Sequence, residues 1–377
     1  MSSMTALTRV IEDVVAPNAA DVDRTGAFPR ANLDALGEAG ILGLCSATEV
    51  GGGGQGPRAA AEIVEGLATA CASTAMIVMM HFSATAAIEA HGPEPVRREI
   101  AAGRHLSTLA FSEVGSRNHF WAPQSTATAA NHDGVAVRLD AAKSWVTSAG
   151  EADSYVWSSR PLAGDGPMTL WLVPGDAPGL RIAGGFDGLG LRGNASFPVQ
   201  ATGVTVPAAD RLGDDGAGLD IALTAVLPWF LLCSAAVSLG LMRAVTAETV
   251  AHVSATRLEH LGQSLAQQPG TRAEVARMQI QSDATQSVID DTLRSIENGR
   301  EDATLRVLEV KAVAGEAAID VTDLAMKVCG GAAFRRELGV ERRFRDARAA
   351  RVMAPTTDAL RDFVGRAITG LPLLGEV

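Results

Sequence analysis

The spacing of apolar and polar positions changes twice along the chain. Up to about residue 106, segments such as NLDALGEAGILGL and AAAEIVEGLATACASTAMIVMMHFSATAAIEAHG place apolar residues at i, i+3 and i+4 and are broken by glycines, which predicts helices. From about residue 106 to 206 the period shortens. STATAANHDGVAVRLDAAKSWV alternates and turns at 131–134, where Asp-Gly accommodates positive φ, so it predicts a hairpin. SYVWSS, MTLWLVP, LRIAG and FPVQATGVTVP predict further strands. Beyond Asp210 the helical spacing returns and lasts to the end. Helices, then strands, then helices predict an α+β fold in three parts, 1–106, 107–210 and 211–377, and not alternating βαβ units.

One stretch, 221–242, carries no charge and is long enough to span a bilayer. It also holds Thr224, Pro228, Ser234, Ser238 and Gly240, and a buried core helix is the better expectation. The N-terminal MSSMTALTRVIEDVV becomes acidic before an apolar core can form, so no signal peptide is expected.

Composition narrows the chemistry. Hydrophobic residues make up 47% of the 377 positions and charged residues 20%, an ordinary globular balance. The net charge of −11 repels polyanions, and 4% aromatic content with a single tyrosine leaves little for base stacking. Neither a nucleic acid nor an anionic membrane is an expected partner. Cys45, Cys71, Cys233 and Cys329 lie far apart and form no CxxC pair, so a disulfide framework or zinc cluster is not expected and a reducing cytoplasm is.

Familiar motifs are weak or missing. GGGGQG at 51–56 satisfies GxGxxG, but helical sequence precedes it and ATACAS occupies the region where the dinucleotide fingerprint needs an acid, so it predicts a turn between helices. Walker A, HExxH and GxSxG do not occur. His252 and His260 could share a helix face beside Glu259 but lack a third ligand, and are expected at the surface. Polar or small residues do follow apolar strands: SEVGS after LSTLAF, and KSWVTSAG closing the hairpin. Regular alternation would put Trp145 and Thr147 on one face, where an indole could cover a ring and a hydroxyl could bond to it.

Taken in order, these segments resemble the acyl-CoA dehydrogenase superfamily. GILGLCSATEVGGGGQG (40–56) is similar to its N-terminal Gly-rich turn, AFSEVGS (110–116) to its "TEP.AGSD" loop, and KSWVTSAGEADSYVW (143–157) to its "K.WITNA..A" strand. GLGLRGNASFPVQATGVTVP (188–207), HLGQSLAQQPGTRAEVARM (260–278) and KVCGGAAFRRELGVERRFRDAR (327–348) resemble its later signatures. The resemblance implies an N-terminal helical domain, a central β-domain, a C-terminal four-helix bundle, bound FAD, and a homotetramer or homodimer in which neighbours complete the cofactor site. By position, Phe111 and Ser112 would lie along the flavin edge, with Trp145 over the isoalloxazine and Thr147 near N5. Thr356 would approach the diphosphate or ribityl chain, and Gly331 the adenine half from a partner subunit. Ser116, Phe230, Leu231 and Ala354 would line the substrate pocket.

The departures from the family pattern bear on mechanism. In RVMAPTTDAL (351–360), Ala354 stands where the family places the glutamate that takes the substrate α-proton. Counting back from Gly240 to the alternative site of that base reaches Phe230, followed by Leu231. A positioned base contributes ~10²–10⁴-fold, so ordinary α,β-dehydrogenation should suffer. Arg117 replaces the usual aspartate of the 110–116 loop, Arg257 is out of register with the family's FAD-phosphate arginine, and Lys327 stands where a glutamine contacts adenine. Ala354 keeps the backbone N–H that would polarise a thioester carbonyl. The expected function is therefore FAD-dependent oxidation of an acyl thioester, on CoA or a carrier protein, by a non-standard route. Asp358, Glu113 and His119 are candidates for a relocated base, with Asp358 more simply a solvated helix residue. A decarboxylating substrate or an oxygenation would need no such base. A non-catalytic flavin-binding subunit is the remaining alternative.

Overall fold

The computed structural model describes residues 3–116, 119–131 and 134–374. Helices α1 (Ser3–Val10), α2 (Ala16–Thr25), α3 (Arg30–Glu38), α4 (Pro57–Ala70), α5 (Ala72–His91) and α6 (Glu94–Ala101) come first. Strands β1 (Ser107–Ala110), β2 (Thr126–Ala129), β3 (Ala136–Val146), β4 (Ser154–Ser159), β5 (Thr169–Pro174), β6 (Leu180–Ile182), β7 (Phe197–Pro207) and β8 (Arg211–Leu212) follow. Helices α7 (Gly218–Ile221) and α8 (Leu227–Ala255) lead to the short strands β9 (Arg257–Leu258) and β10 (Gln263–Ser264). The chain closes with α9 (Pro269–Glu297), α10 (Ala303–Cys329), α11 (Val340–Ala347), α12 (Ala349–Val352) and α13 (Thr357–Thr369).

The backbone divides into two compact units. One holds the chain through Ile63, Met76–Gly188 and Arg192–Phe230; the other holds Val64–Ala75, Leu189–Leu191 and the chain from Leu231 onward. In the first, two sheets of order β1-β4-β5-β8 and β2-β3-β7-β6 share one core that includes Val137, Leu139, Trp157, Trp171, Val199 and Val204. Among the described strands of these two sheets, β1 and β4 run parallel and the other pairs are antiparallel. β3 and β7 alternate between buried and more exposed positions, as strands with one wet face should. β4 is buried at every position, which is why SYVWSS does not alternate.

α5 is apolar all round and buried over most of its length, and its buried histidine, His81, is kept neutral. The Ser107 N–H donates to His81 Nδ1 at 3.2 Å, so Nε2 carries the proton and donates to the Leu42 carbonyl at 3.2 Å. Burial pulls the His81 pKa down to about 4. The 221–242 stretch lies within the helical run Gly218–Ala255, whose most apolar window is 67% buried, and it includes one π-helical turn at Ala222–Val226.

Three local expectations need correction. α3 stops at Glu38 and Gly40 turns left-handed (φ 72°), so ILGL lies in turns and not in the helix. The break between α4 and α5 falls at Cys71, whereas Gly66 sits inside α4. α8 ends at Ala255, so His260 lies outside it and shares no helix face with His252. The GGGGQG segment is a turn, as expected. A Cβ on Gly52 would meet the Ser46 carbonyl oxygen at 2.2 Å, so close backbone packing accounts for that glycine without a phosphate. The hairpin between β2 and β3 forms with Gly134 at φ 71°; His132 and Asp133 lie outside the described residues.

Candidate active site

In the first unit, the loop after β1 is tied to β3 by its backbone. Ser144 N–H donates to the Ser112 carbonyl at 2.9 Å and Val114 N–H to the Ala142 carbonyl at 3.1 Å. Between them, Glu113 turns inward. Its carboxylate accepts from Lys143 Nζ at 2.7 Å, from the Ser125 hydroxyl and from the Gln124 N–H. Lys143 Nζ also donates to the Ser158 carbonyl at 2.7 Å and its hydroxyl at 2.9 Å. Burial alone would raise the Glu113 pKa, but the adjacent ammonium and these hydrogen bonds outweigh it and hold the carboxyl below its ordinary value. Burial pulls Lys143 down to about 8 against the pull of Glu113. Glu113 is thus an internal strut, which corrects its candidacy as a relocated base: every role it fills needs the ionised form, already bonded.

The end of β3 also differs from expectation. A register shift falls between Lys143 and Val146, and Trp145 adopts φ 55° and Ser148 φ 59°. Ala195, on the neighbouring loop, has φ 49°. Left-handed backbone at a non-glycine residue costs about 1–3 kcal/mol and tends to mark functional sites. Regular alternation therefore does not relate Trp145 to Thr147. Instead the bulge leaves the Trp145 side 69% exposed while Thr147 is 4% exposed. Phe186 lies edge-on to the indole, with ring centroids 6.5 Å apart. Thr147 Oγ1 lies 3.2 Å from Ser196 Oγ, and Ser148 N–H donates to the Asn194 carbonyl at 2.9 Å.

Ser148 Oγ and Asn194 Oδ1 are buried and meet no protein partner. Sequence reasoning missed Ser148, Asn194 and Ser196 as site residues. The sole cue to the last two was their place inside the 188–207 segment. An exposed indole beside buried, unpartnered polar atoms fits a planar ring system with hydrogen-bonding edges.

The remaining positions of this unit are less exposed to chemistry. Phe111 and Ser112 are half-buried. Ser116 Oγ donates to the Glu113 carbonyl at 3.0 Å and closes the turn. His119 is exposed, with Nδ1 3.1 Å from the Ser116 carbonyl and its ring edge-on to Trp121 at 5.0 Å. Arg117 lies outside the described residues. Phe230 is 8% exposed on α8.

The second unit carries the other sequence-derived positions. Leu231 is fully buried and Ala354 half-buried. Thr356 is the N-cap of α13: its Oγ1 accepts from the Ala359 N–H at 3.3 Å, as a threonine at that position should. Asp358, in the first turn, has a side chain 93% exposed and pairs with Arg361 at 3.3 Å, a solvated helix residue. Gly331 is exposed, and a Cβ there would meet nothing within 4 Å. Arg257 is exposed and donates to the Gly262 carbonyl at 3.3 Å, and Lys327 pairs with Glu274 at 2.5 Å. Beneath the 350–355 segment, buried Lys311 donates to the carbonyls of Ala350, Met353 and Pro355 at 3.2, 2.9 and 2.8 Å. That lysine was not singled out from sequence, because nothing local marks a cation in an apolar helix as a carbonyl anchor. Among the described residues, no cluster of His, Cys, Asp or Glu could hold a metal ion.

A helical N-terminal part, a central pair of sheets and a long-helix C-terminal part make up the fold, and the exposed Trp145 marks its candidate site. Three family models match in order: "Acyl-CoA dehydrogenase, N-terminal domain" over 4–103, "middle domain" over 108–204 and "C-terminal domain" over 216–369. The chain belongs to the acyl-CoA dehydrogenase family, whose members are FAD-dependent oxidoreductases. It is 26% identical to the probable acyl-CoA dehydrogenase YngJ of Bacillus subtilis, covering 93% of each chain. It is 27% identical to the mitochondrial short-chain specific acyl-CoA dehydrogenase of Bos taurus, over 92% of this chain and 84% of that one. Its fold matches butyryl-CoA dehydrogenase from Megasphaera elsdenii with a TM-score of 0.90 at 24% identity, covering 97% of both.

Proposed function

We propose that this protein oxidises an acyl thioester with FAD by a route that uses no carboxylate at the family's base positions. The observation that carries the reading is the state of the base positions and of the groups considered to replace them. Ala354 is aliphatic, Phe230 and Leu231 are buried and apolar, Asp358 is solvated and paired, Glu113 is locked to Lys143, and His119 is exposed against the Ser116 carbonyl and Trp121. When bound, FAD supplies a two-electron acceptor. Trp145 would lie over its ring system, Thr147 near the ring's reactive edge, Phe111 and Ser112 along that edge, and Thr356 near the diphosphate or ribityl chain. Gly331 would admit the adenine half from a partner subunit in a homodimer or homotetramer. Ser116 belongs to the substrate pocket in this reading.

The chain's own contribution is orientation and exclusion of water. The backbone N–H of Ala354 would donate to the thioester carbonyl, stabilising charge on that oxygen. Phe230 and Leu231 would keep the reacting carbons dry. With no carboxylate to receive the α-proton, the fitting substrates are those that form their own carbanion, as an alkylmalonyl thioester, the thioester counterpart of a β-keto acid, does by losing CO₂ from its α-carbon. The same apolar lining favours a second reading, oxygenation. There, one atom of dioxygen enters the product and the other leaves as water, with electrons from an external reductant. The enzyme would work in the cytoplasm, with CoA or a carrier protein bearing the thioester.

The test is anaerobic mixing of purified protein with butyryl-CoA and with ethylmalonyl-CoA, followed by visible absorbance and mass spectrometry. Loss of flavin absorbance with ethylmalonyl-CoA alone, with CO₂ released, supports the first reading. Bleaching by simple saturated acyl-CoA at rates normal for a dehydrogenase sinks it. A product heavier by one oxygen, formed only when reductant and dioxygen are supplied, moves the assignment to oxygenation. Purified protein that takes up no flavin at all would revive a non-catalytic role.

A further inference from the structure

Lys311 lies on α10 in the second unit, 1% exposed, in a run that also buries Val307, Leu308, Val310 and Ala314. A buried cation without a counter-charge is costly, and an apolar residue of similar volume would fill the same space, so the charge needs a reason. Among the described residues no carboxylate pairs with it. Its three protons match three carbonyl acceptors, those of Ala350, Met353 and Pro355, at 3.2, 2.9 and 2.8 Å. All three belong to the short stretch between α12 and α13 and its edges. One turn further along α10, Gly315 lets the same stretch approach: a Cβ there would stand 3.3 Å from the Ala350 side chain.

The middle contact carries the most chemistry. The Met353 carbonyl and the Ala354 N–H are the two ends of one peptide group. A hydrogen bond to the carbonyl draws electrons towards its oxygen and makes the N–H at the other end a better donor. Such cooperative strengthening is about 10–30% per bond, and a charged donor bonds about twice as strongly as a neutral one. The contacts to Ala350 and Pro355, on either side, hold the peptide in place. Among the described residues the Ala354 N–H itself meets no acceptor. We infer that Lys311 is a positioning residue whose ammonium fixes the Met353–Ala354 peptide and strengthens the Ala354 N–H as a donor to the thioester carbonyl. The inference rests on the reading above in which that N–H meets the thioester, and goes beyond it by assigning the source of its strength. A position that bears only a methyl group thereby transmits the effect of a buried cation through the backbone.

The test is infrared difference spectroscopy of the purified flavoprotein with acetyl-CoA labelled with carbon-13 at the carbonyl, a thioester that has no β-carbon and cannot become an enoyl product. Burial pulls the Lys311 pKa down to about 7, so spectra are taken near pH 6, where the ammonium form predominates. The bound carbonyl band is expected below that of the free thioester. Lys311→Gln, which keeps N–H donors without the charge, is expected to lose most of that shift while keeping its flavin, and Lys311→Met replaces it should it not fold. Lys311→Arg, which keeps the charge, is expected to retain most of the shift. A shift equal to wild type in the neutral variant, or one lost equally in the neutral and the arginine variants, overturns the inference and leaves the thioester reading intact. If acetyl-CoA does not bind, or binds to wild-type protein without any shift, the Ala354 N–H does not meet a CoA thioester, and that reading fails together with this inference.

Discussion

Glu113 and Lys143 show how a single pair can hide from sequence reasoning. They lie far apart along the chain, and only the docking of the loop after β1 against β3 makes them neighbours. Lys143→Met should leave the carboxylate buried without its counter-charge and cost about 3–5 kcal/mol, whereas adding Glu113→Gln should recover much of that loss. Chemical denaturation of the two variants checks it, and an equal loss in both would refute the pairing as the cause. His81 sets a pH dependence of known sign. The folded state keeps its ring neutral down to about pH 4, while the unfolded chain binds a proton below its ordinary value of 6.5. Stability should therefore fall as the pH drops from 6.5 towards 4, and His81→Gln should flatten the thermal midpoint over that window. Trp145 makes the opposite case, a large ring with little packing. Trp145→Ala should shift stability by no more than about 0.5 kcal/mol yet weaken flavin retention, read by the flavin released on gel filtration.

At the scale of elements, α8 shows why a residue type at one position decides a helix contact. A Cβ on Gly240 would lie 2.4 Å from the Glu65 carbonyl oxygen and 2.6 Å from the Ala68 side chain, both on α4. Gly240→Val should therefore destabilise the protein by about 1–3 kcal/mol through overpacking, despite the better helix propensity of most residues over glycine. A thermal midpoint equal to that of the wild type would show that α4 and α8 can part without cost. The strands follow a similar logic. Alternation in β3 and β7 is legible because one face of each is wetter, whereas β4 is buried on both faces and can be recognised only from its β-branched and aromatic content. The bulge at Trp145 was not legible, because nothing in KSWVTSAG requires a left-handed tryptophan. It accompanies the register shift between Lys143 and Val146 in the pairing of β3 with β7.

For the molecule as a whole, the question is where the substrate proton goes. Asp358→Asn should leave turnover within about twofold of wild type, because the side chain is solvated and paired with Arg361. Ala354→Glu should instead confer or enhance oxidation of simple saturated acyl-CoA, within the ~10²–10⁴-fold range of a positioned base. Flavin bleaching rates with one acyl-CoA measure both. A large loss in Asp358→Asn would overturn the assignment of that residue as solvated.

The family and the order of its parts were legible from sequence, because apolar periodicity and the Gly-rich and charged signatures are local and survive at about 26% identity. The apolar character of the base positions was also legible, since Ala354, Phe230 and Leu231 are chemically inert wherever they lie. Tertiary structure alone decided which polar groups are spent and which remain unmatched. Glu113 looks like any carboxylate until Lys143 meets it, and Lys311 looks like any helix lysine until the carbonyls of Ala350, Met353 and Pro355 accept its hydrogen bonds. Partnering is a property of distance and burial between remote segments, and neither is encoded at the residue itself.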